Sequence, residues 1–207
     1  MPRTLILAAV AATTVVSQVM TTARSADGKL SAMPTIAASA SPHLKLDRLT
    51  LAPMAYTMFC VRYQDECRVR PLFRGGPVHL TEARWADLKE ANQSVNRAII
   101  PEAIEPGPSV EAWLIDPERG DCNDYAVSKR HKLLQRGWPP RTLLLGEVVT
   151  ASGQHHLVLV VRTKSGDLVL DNLTPQIRSW SRAPYRWVRV QSPSNPRYWR
   201  SVASRGE

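Results

Sequence analysis

The 207-residue sequence lacks three features that would each have indicated a different class of protein. It has no internal repeats, and after the N-terminus it has no apolar run long enough to cross a bilayer. It also lacks long basic runs: although the net charge is +9, the positive residues are scattered. The densest stretch, KRHK at 129–132, is expected on the solvated face of a helix, so we do not expect a nucleic-acid partner.

The N-terminus has the three-part layout of a secretory signal peptide over residues 1–26. Arg3 precedes an apolar run, and small residues follow near a cleavage site. An uncleaved anchor is the alternative. The segment 27–52 is rich in Ala, Ser, Thr and Pro and is expected to be a flexible leader. These features predict a periplasmic or secreted protein with a folded domain over 53–200 and a tail over 201–207.

The sequence has only three cysteines, and in an oxidising compartment thiols tend to pair. Cys60 and Cys67 are close enough to close a small loop, which would stabilise the fold by about 2–3 kcal/mol. Cys122 lies outside that pair. A third thiol in an exported protein is either a liability or a working part of the molecule.

Two helices are predicted ahead of a group of strands. Apolar residues at three- and four-residue steps predict the first helix over 79–99, with Thr81 as its N-cap. The second is predicted over 122–136, with Asp121 at the N-cap position and Cys122 in the first turn.

After the second helix, the residue pattern is typical of β-strands in four segments. The predicted strands are 142–149, 155–163, 168–173 and 185–192. Helices followed by antiparallel strands predict an α+β domain.

Cys122, a histidine and Asp171 form a candidate catalytic set. A helix N-terminus favours the thiolate, which is the nucleophilic form of cysteine. Only one of His155 and His156 can point at Cys122, and strand alternation does not choose between them. A hairpin centred near residues 165–166 would place 156–160 opposite 171–175, so that Asp171 could orient the histidine. Taken singly, each residue is more often structural: a small core cysteine, a strand histidine or a turn-forming aspartate.

Two segments carry a family resemblance: GDCNDYAVSKRHKLLQRGWP and, after it, HHLVLVVRTKSGDLVLDNL. With ANQSVNRAI and VEAWLIDPERGDC, they resemble the bacterial transglutaminase-like cysteine proteinases (BTLCP), whose LapG-type branch consists of periplasmic proteases. The resemblance covers about 53–192. It implies a papain-like, transglutaminase-like fold in which helices pack on an antiparallel sheet. It also implies Cys122 as nucleophile, His156 as general base and Asp171 as its orienter.

The resemblance also suggests a substrate, partners and an ion. The expected substrate is a protein or peptide such as a surface adhesin, and the expected regulator is an inner-membrane receptor acting on a monomeric enzyme. No cofactor is required, but Asp121 and Asp124 match calcium-binding positions of the LapG-type branch, with Asn123 in place of an acid. The alternatives are a transglutaminase or cell-wall amidase acting through the same triad, and a non-catalytic binding module.

Overall fold

The computed structural model describes residues 42–69, 76–102 and 112–203. The predicted signal peptide and most of the predicted leader lie outside these ranges, and so does the end of the predicted tail. The main element is a sheet in which neighbouring strands run antiparallel, in the order β1-β9-β8-β4-β5-β6-β7. Its strands are β1 (Leu46–Thr50), β4 (Leu143–Val149), β5 (His155–Thr163), β6 (Gly166–Leu170), β7 (Arg178–Ser179), β8 (Arg186–Gln191) and β9 (Trp199–Val202). A separate parallel pair joins β2 (Ile100–Pro101) to β3 (Arg119–Gly120).

Within the described ranges three α-helices accompany the sheet, and α3 packs on β5 and β4 as well as on α2. They are α1 (Met54–Arg62), α2 (Glu82–Ala98) and α3 (Cys122–Gln135). Thr81 caps α2 by accepting a hydrogen bond from the Arg84 backbone N–H, and Asp121 caps α3, so both predicted N-caps are confirmed. The predicted fold class is also confirmed, because helices pack against an antiparallel sheet.

Strand β5 lies at the centre of the core and is buried on both faces. Leu157, Leu159 and Val161 belong to the apolar cluster under the helices. Val158 and Val160 belong to a second cluster on the other face, with Trp180. Double burial explains why this strand is a continuous apolar run instead of an alternating one.

The β5–β6 hairpin differs in register from the prediction. Thr163 pairs with Gly166 and Leu159 with Leu170, so the turn consists of Lys164 and Ser165 alone. Gly166 closes this turn with φ of +135°, a conformation that favours glycine. Because the turn is two residues long, the register differs by two residues from the predicted one, and β6 ends at Leu170, directly before Asp171.

The expectation of a solvated face at 129–132 is wrong for its first two residues. Lys129 and Arg130 are only 1% and 2% exposed. Arg130 donates to Glu66 Oε2 at 2.5 Å and to the Leu143 carbonyl at 3.1 Å. Glu66 lies in the loop that the Cys60–Cys67 disulfide closes, so the predicted disulfide is present and helps to fix the partner of a buried arginine.

Ordered structure begins earlier than Pro53. β1 falls within the predicted leader, where Leu46, Leu49 and Thr50 pair with β9 at the edge of the sheet. The strand is largely exposed, which explains why its sequence carries no clear strand pattern. In the part of the chain that the structure describes, every helix is too short or too polar to span a bilayer.

Candidate active site

Cys122 is the first residue of α3, and a reciprocal cap fixes its position. The Asp121 carboxylate accepts from the Asn123 N–H at 2.8 Å, while Asp124 Oδ2 accepts from the Asp121 N–H at 3.0 Å. Both interactions satisfy donors that a helix start would leave without partners. The thiol therefore lies at the positive end of the helix dipole, where the thiolate is favoured.

Asp124 is a buried carboxylate that ties α3 to the segment before it. Besides the Asp121 amide, it accepts from the Leu114 N–H at 2.6 Å. Burial raises the pKa of Asp124 to about 6, although these two backbone hydrogen bonds act to lower it. A Cβ at Gly120 would lie 2.4 Å from Asp124 Oδ2, so only glycine leaves room for this carboxylate.

His156 and Asp171 form a buried pair. His156 Nε2 donates to Asp171 Oδ1 at 2.8 Å, and the two side chains are 5% and 2% exposed. Since Nε2 is engaged by the carboxylate, Nδ1 is the ring nitrogen that can exchange a proton elsewhere. The loop after β6 supports the pair, because the Leu173 N–H also donates to Asp171 Oδ1, at 3.0 Å.

Asp171 is held in its ionised form. Burial opposes ionisation, but hydrogen bonds from His156 and Tyr185 outweigh it, and the pKa of Asp171 lies below its ordinary value. The Tyr185 hydroxyl donates to Asp171 Oδ2. Lys129 on α3 adds a positive charge that interacts with Asp171, and its ammonium also lies 5.9 Å from the centre of the Tyr125 ring. Burial lowers the pKa of Lys129 to about 7.

Cys122 and His156 line the same cavity, which has a volume of about 390 Å³. The rest of its wall is mixed in character. Its other lining residues are Pro53, Met54, Ala55, Trp113, Asn123, Glu147, His155, Leu157 and Arg189. The structure thus brings the predicted nucleophile and the predicted base to one cleft, with Asp171 behind the base.

His155 also reaches this cavity but has a different partner. Its Nδ1 lies 2.7 Å from Glu147 Oε1, and its side chain is 71% exposed. Glu147 Oε2 in turn accepts from Arg189 Nε at 2.5 Å. Strand alternation left the choice of histidine open, whereas the structure shows that His156 is the one bonded to Asp171.

Sequence reasoning missed four polar residues at the site: Lys129, Glu147, Tyr185 and Arg189. The sequence pattern predicts Lys129 on a solvated helix face. The other three lie at strand positions or next to a strand, and each reaches a partner distant in sequence. Their types and spacing gave no signal of those contacts.

Asp121 and Asp124 do not by themselves fit a calcium site. Calcium takes six to eight oxygen ligands. Here one oxygen of Asp121 and both oxygens of Asp124 accept backbone hydrogen bonds, and Asn123 adds no charge. The described residues contain no group of three or more Cys, His, Asp or Glu side chains placed to hold a metal ion.

In this site a cysteine at the start of a helix lines the same cavity as a histidine of the antiparallel sheet, and a carboxylate holds that histidine. This arrangement defines a thiol enzyme of the papain-like and transglutaminase-like class. A sequence profile described as "Bacterial transglutaminase-like cysteine proteinase BTLCP" matches residues 46–207. The chain therefore belongs to the bacterial transglutaminase-like cysteine proteinases. A search of curated proteins found no match.

Solved structures of LapG from Legionella pneumophila are similar to this chain. The calcium-bound form has a TM-score of 0.51 at 24% identity, over 59% of this chain and 71% of LapG, a likeness that concerns the fold. Two further LapG structures, one of them EGTA-treated, each have a TM-score of 0.45 at 25% identity, over 51% of this chain and 62% of LapG.

Proposed function

We propose that this protein is an exported cysteine peptidase whose catalytic residues are Cys122, His156 and Asp171. The observation that carries the proposal is the buried His156–Asp171 pair, whose histidine lines the same cavity as the thiol at the start of α3. Membership of a cysteine proteinase family supports the same reaction.

In the first half of the reaction, the Cys122 thiolate attacks the carbonyl carbon of a peptide bond. The N-terminus of α3 stabilises the resulting oxyanion through its dipole and backbone N–H groups. The imidazolium of His156 then gives its proton to the departing amine. The C–N bond breaks and a thioester to Cys122 remains.

In the second half, neutral His156 takes a proton from water, and the hydroxide attacks the thioester carbon. The C–S bond breaks, the carboxylic acid product leaves, and the thiolate–imidazolium pair is restored. Asp171 keeps Nε2 protonated and orients the ring, so that Nδ1 carries the exchanged proton in both halves.

Alkylation of Cys122 by iodoacetamide tests the thiol and its base without requiring a substrate. With Cys60 and Cys67 in a disulfide, the reaction reports on Cys122 alone. We expect alkylation at pH 6–7 to be at least tenfold faster than in urea-denatured protein, since only the thiolate reacts. His156→Ala should abolish this rate difference between native and denatured protein, whereas His155→Ala should retain it. A native rate equal to the denatured rate would exclude the proposed nucleophile.

The substrate we propose is a protein such as a surface adhesin, in keeping with the family resemblance. The test incubates the enzyme with the N-terminal region of a candidate adhesin and identifies new termini by mass spectrometry. Cys122→Ala should yield none. Amine incorporation and ammonia release without new termini would instead indicate a transglutaminase.

Export is the second part of the proposal. The apolar segment near residues 5–16 and the Cys60–Cys67 disulfide both suit a protein that folds in an oxidising compartment. We expect the mature protein in the periplasmic or secreted fraction to begin near residue 27. Intact mass and N-terminal sequencing would check this. A cytoplasmic full-length product would contradict it.

The proposed reaction does not require calcium. LapG from Legionella pneumophila binds calcium in one of its structures, whereas here the carboxylates of Asp121 and Asp124 already serve the α3 cap. We expect the melting temperature to be the same with millimolar calcium as with a chelator. A rise of several degrees with calcium would show that further oxygen ligands complete a site.

A further inference from the structure

Tyr185 contacts both members of the buried histidine–carboxylate pair, although it lies on a different element from either. It directly precedes β8, and its hydroxyl donates to Asp171 Oδ2. Its ring centre is 5.7 Å from that of His156, with the two planes tilted by 54°. One side chain therefore bounds the pair through a hydrogen bond and a ring contact.

The two oxygens of Asp171 have different partners, and this difference gives Tyr185 a distinct role. Oδ1 accepts from His156 and from the Leu173 backbone. Oδ2 accepts from Tyr185. Because Asp171 is buried, water is a poor substitute for the phenol, and losing this donor would leave the carboxylate plane less firmly fixed.

The charges around the pair keep Tyr185 a donor. Burial and the neighbouring Asp171 carboxylate raise the pKa of Tyr185 well above its ordinary value, although Arg178 acts to lower it. The phenol is therefore protonated throughout the working range of a thiol enzyme. Lys129 on α3 also interacts electrostatically with Asp171.

We propose that Tyr185 is a positioning residue that fixes the Asp171 carboxylate, and through it the ring of His156. This inference rests on the proposed function. Tyr185 is not among the described residues that line the cavity, so it acts through Asp171 and not on the substrate.

The test compares Tyr185→Phe with Tyr198→Phe, a matched change at a tyrosine that is 56% exposed. For Tyr185→Phe we expect kcat to fall about tenfold, the effect of losing one hydrogen bond to a charged group, with KM within about twofold. The acid limb of kcat/KM should move to higher pH, because Asp171 then takes up a proton more readily. Tyr198→Phe should match the wild type in its kinetic constants and in its pH profile.

A double-mutant cycle separates positioning from a general effect on folding. In an Asp171→Asn background, Tyr185→Phe should cause little further loss, because its partner is already altered. Additive losses, or a pH profile superimposable on the wild type, would overturn the inference. Thermal melting of each variant identifies any that fail to fold. If Tyr185→Phe does not fold, the pH dependence of Cys122 alkylation is compared between Tyr185→Trp and the wild type instead.

The outcomes also distinguish this inference from the proposed function. If His156→Ala retains full activity, the proposed function fails whatever Tyr185 does. If His156→Ala is inactive and Tyr185→Phe is indistinguishable from the wild type, only the inference about Tyr185 fails.

Discussion

Two adjacent histidines on β5 face the same cavity, yet each belongs to a different histidine–carboxylate pair. His156 is buried against Asp171, and His155 is exposed beside Glu147. A basic side chain stands near each carboxylate: Lys129 near Asp171, and Arg189 on Glu147. The arrangement of residue types is nearly the same, but the two histidines have opposite solvent exposure, 5% for His156 and 71% for His155.

This contrast shows that burial, more than residue type, separates the two pairs. A histidine–carboxylate contact is worth less where water screens it, as at His155, whose side chain is 71% exposed although Glu147 is only 12% exposed. Away from water the same contact fixes a tautomer and a ring orientation. The pair around His156 therefore has the properties of a catalytic base, while the pair around His155 has those of a polar rim.

Replacing each histidine by alanine should give the largest difference in activity between the two pairs. We expect His156→Ala to lower the rate of peptide cleavage by at least about 10³-fold, because it removes the proposed base. His155→Ala should stay within about threefold of the wild type. Steady-state cleavage of one peptide by both variants measures the contrast. Equal losses would remove the distinction between the two pairs.

Neutralising each carboxylate should give the next largest difference. Asp171→Asn cannot hold the His156 tautomer in the same way, and we expect kcat to fall about 10²-fold or more. Glu147→Gln should change kcat by less than about threefold, with any loss in KM, because Glu147 only borders the cavity. Separate determination of kcat and KM checks this. A kcat defect in Glu147→Gln as large as that in Asp171→Asn would contradict it.

Removing the two basic residues should change stability in opposite directions. Lys129 is buried and has a pKa of about 7, well below its ordinary 10.5, so its charge is a cost in the folded state. At pH 6, where the lysine is charged, we expect Lys129→Met to raise the free energy of unfolding, because the apolar side chain bears no desolvation cost, and to lower activity a few-fold, since Asp171 loses a positive neighbour. Arg189→Met should lower stability by about 1–3 kcal/mol, because it leaves the Glu147 carboxylate, which is only 12% exposed, without its guanidinium partner.

The pH dependence of the Lys129→Met gain follows from the same pKa. Below pH 7 the lysine is charged in both states, so the wild type bears the full cost. Between pH 7 and 10.5 only the unfolded lysine binds a proton, and wild-type stability rises with pH. The gain should therefore be smaller at pH 9 than at pH 6, as measured by urea unfolding. A loss of stability in Lys129→Met at both values would show that its charge is compensated.

The smallest expected effect concerns Asp171 at low pH. Its pKa is lowered in the folded state, so it contributes stability that is fully present above its ordinary value of 3.8 and is lost as pH falls through the folded value. The stability difference between the wild type and Asp171→Asn should narrow as pH falls below 4. Urea midpoints at pH 3 and pH 6 measure it. A constant difference would show that the hydrogen bonds to Asp171 do not depend on its charge.

The sequence predicted the elements whose signals are local. α3 carries its own cap at Asp121, and β5 carries the continuous apolar run of a strand buried on both faces, so both were located to within a residue. The disulfide was predictable from the short spacing of Cys60 and Cys67. Cys122, His156 and Asp171 stood out because the residue types of a thiol enzyme occur at a helix start and on a hairpin.

What the sequence could not reveal depends on contacts between distant segments. α1 exposes Met54 and Met58 while burying Phe59, so it is apolar on both sides and shows no helical period. Arg130 reads as a surface residue because its partner Glu66 lies 64 residues away. Tyr185 has no local motif, and its relation to Asp171 exists only in the folded chain.

The close approach of Gly120 to Asp124 has a consequence for how this motif can vary. Any side chain at 120 would displace the Asp124 carboxylate, and without that carboxylate the Leu114 and Asp121 amides would lose their acceptor. In a saturation-mutagenesis library, position 120 should therefore tolerate no substitution, although its residue takes no part in chemistry.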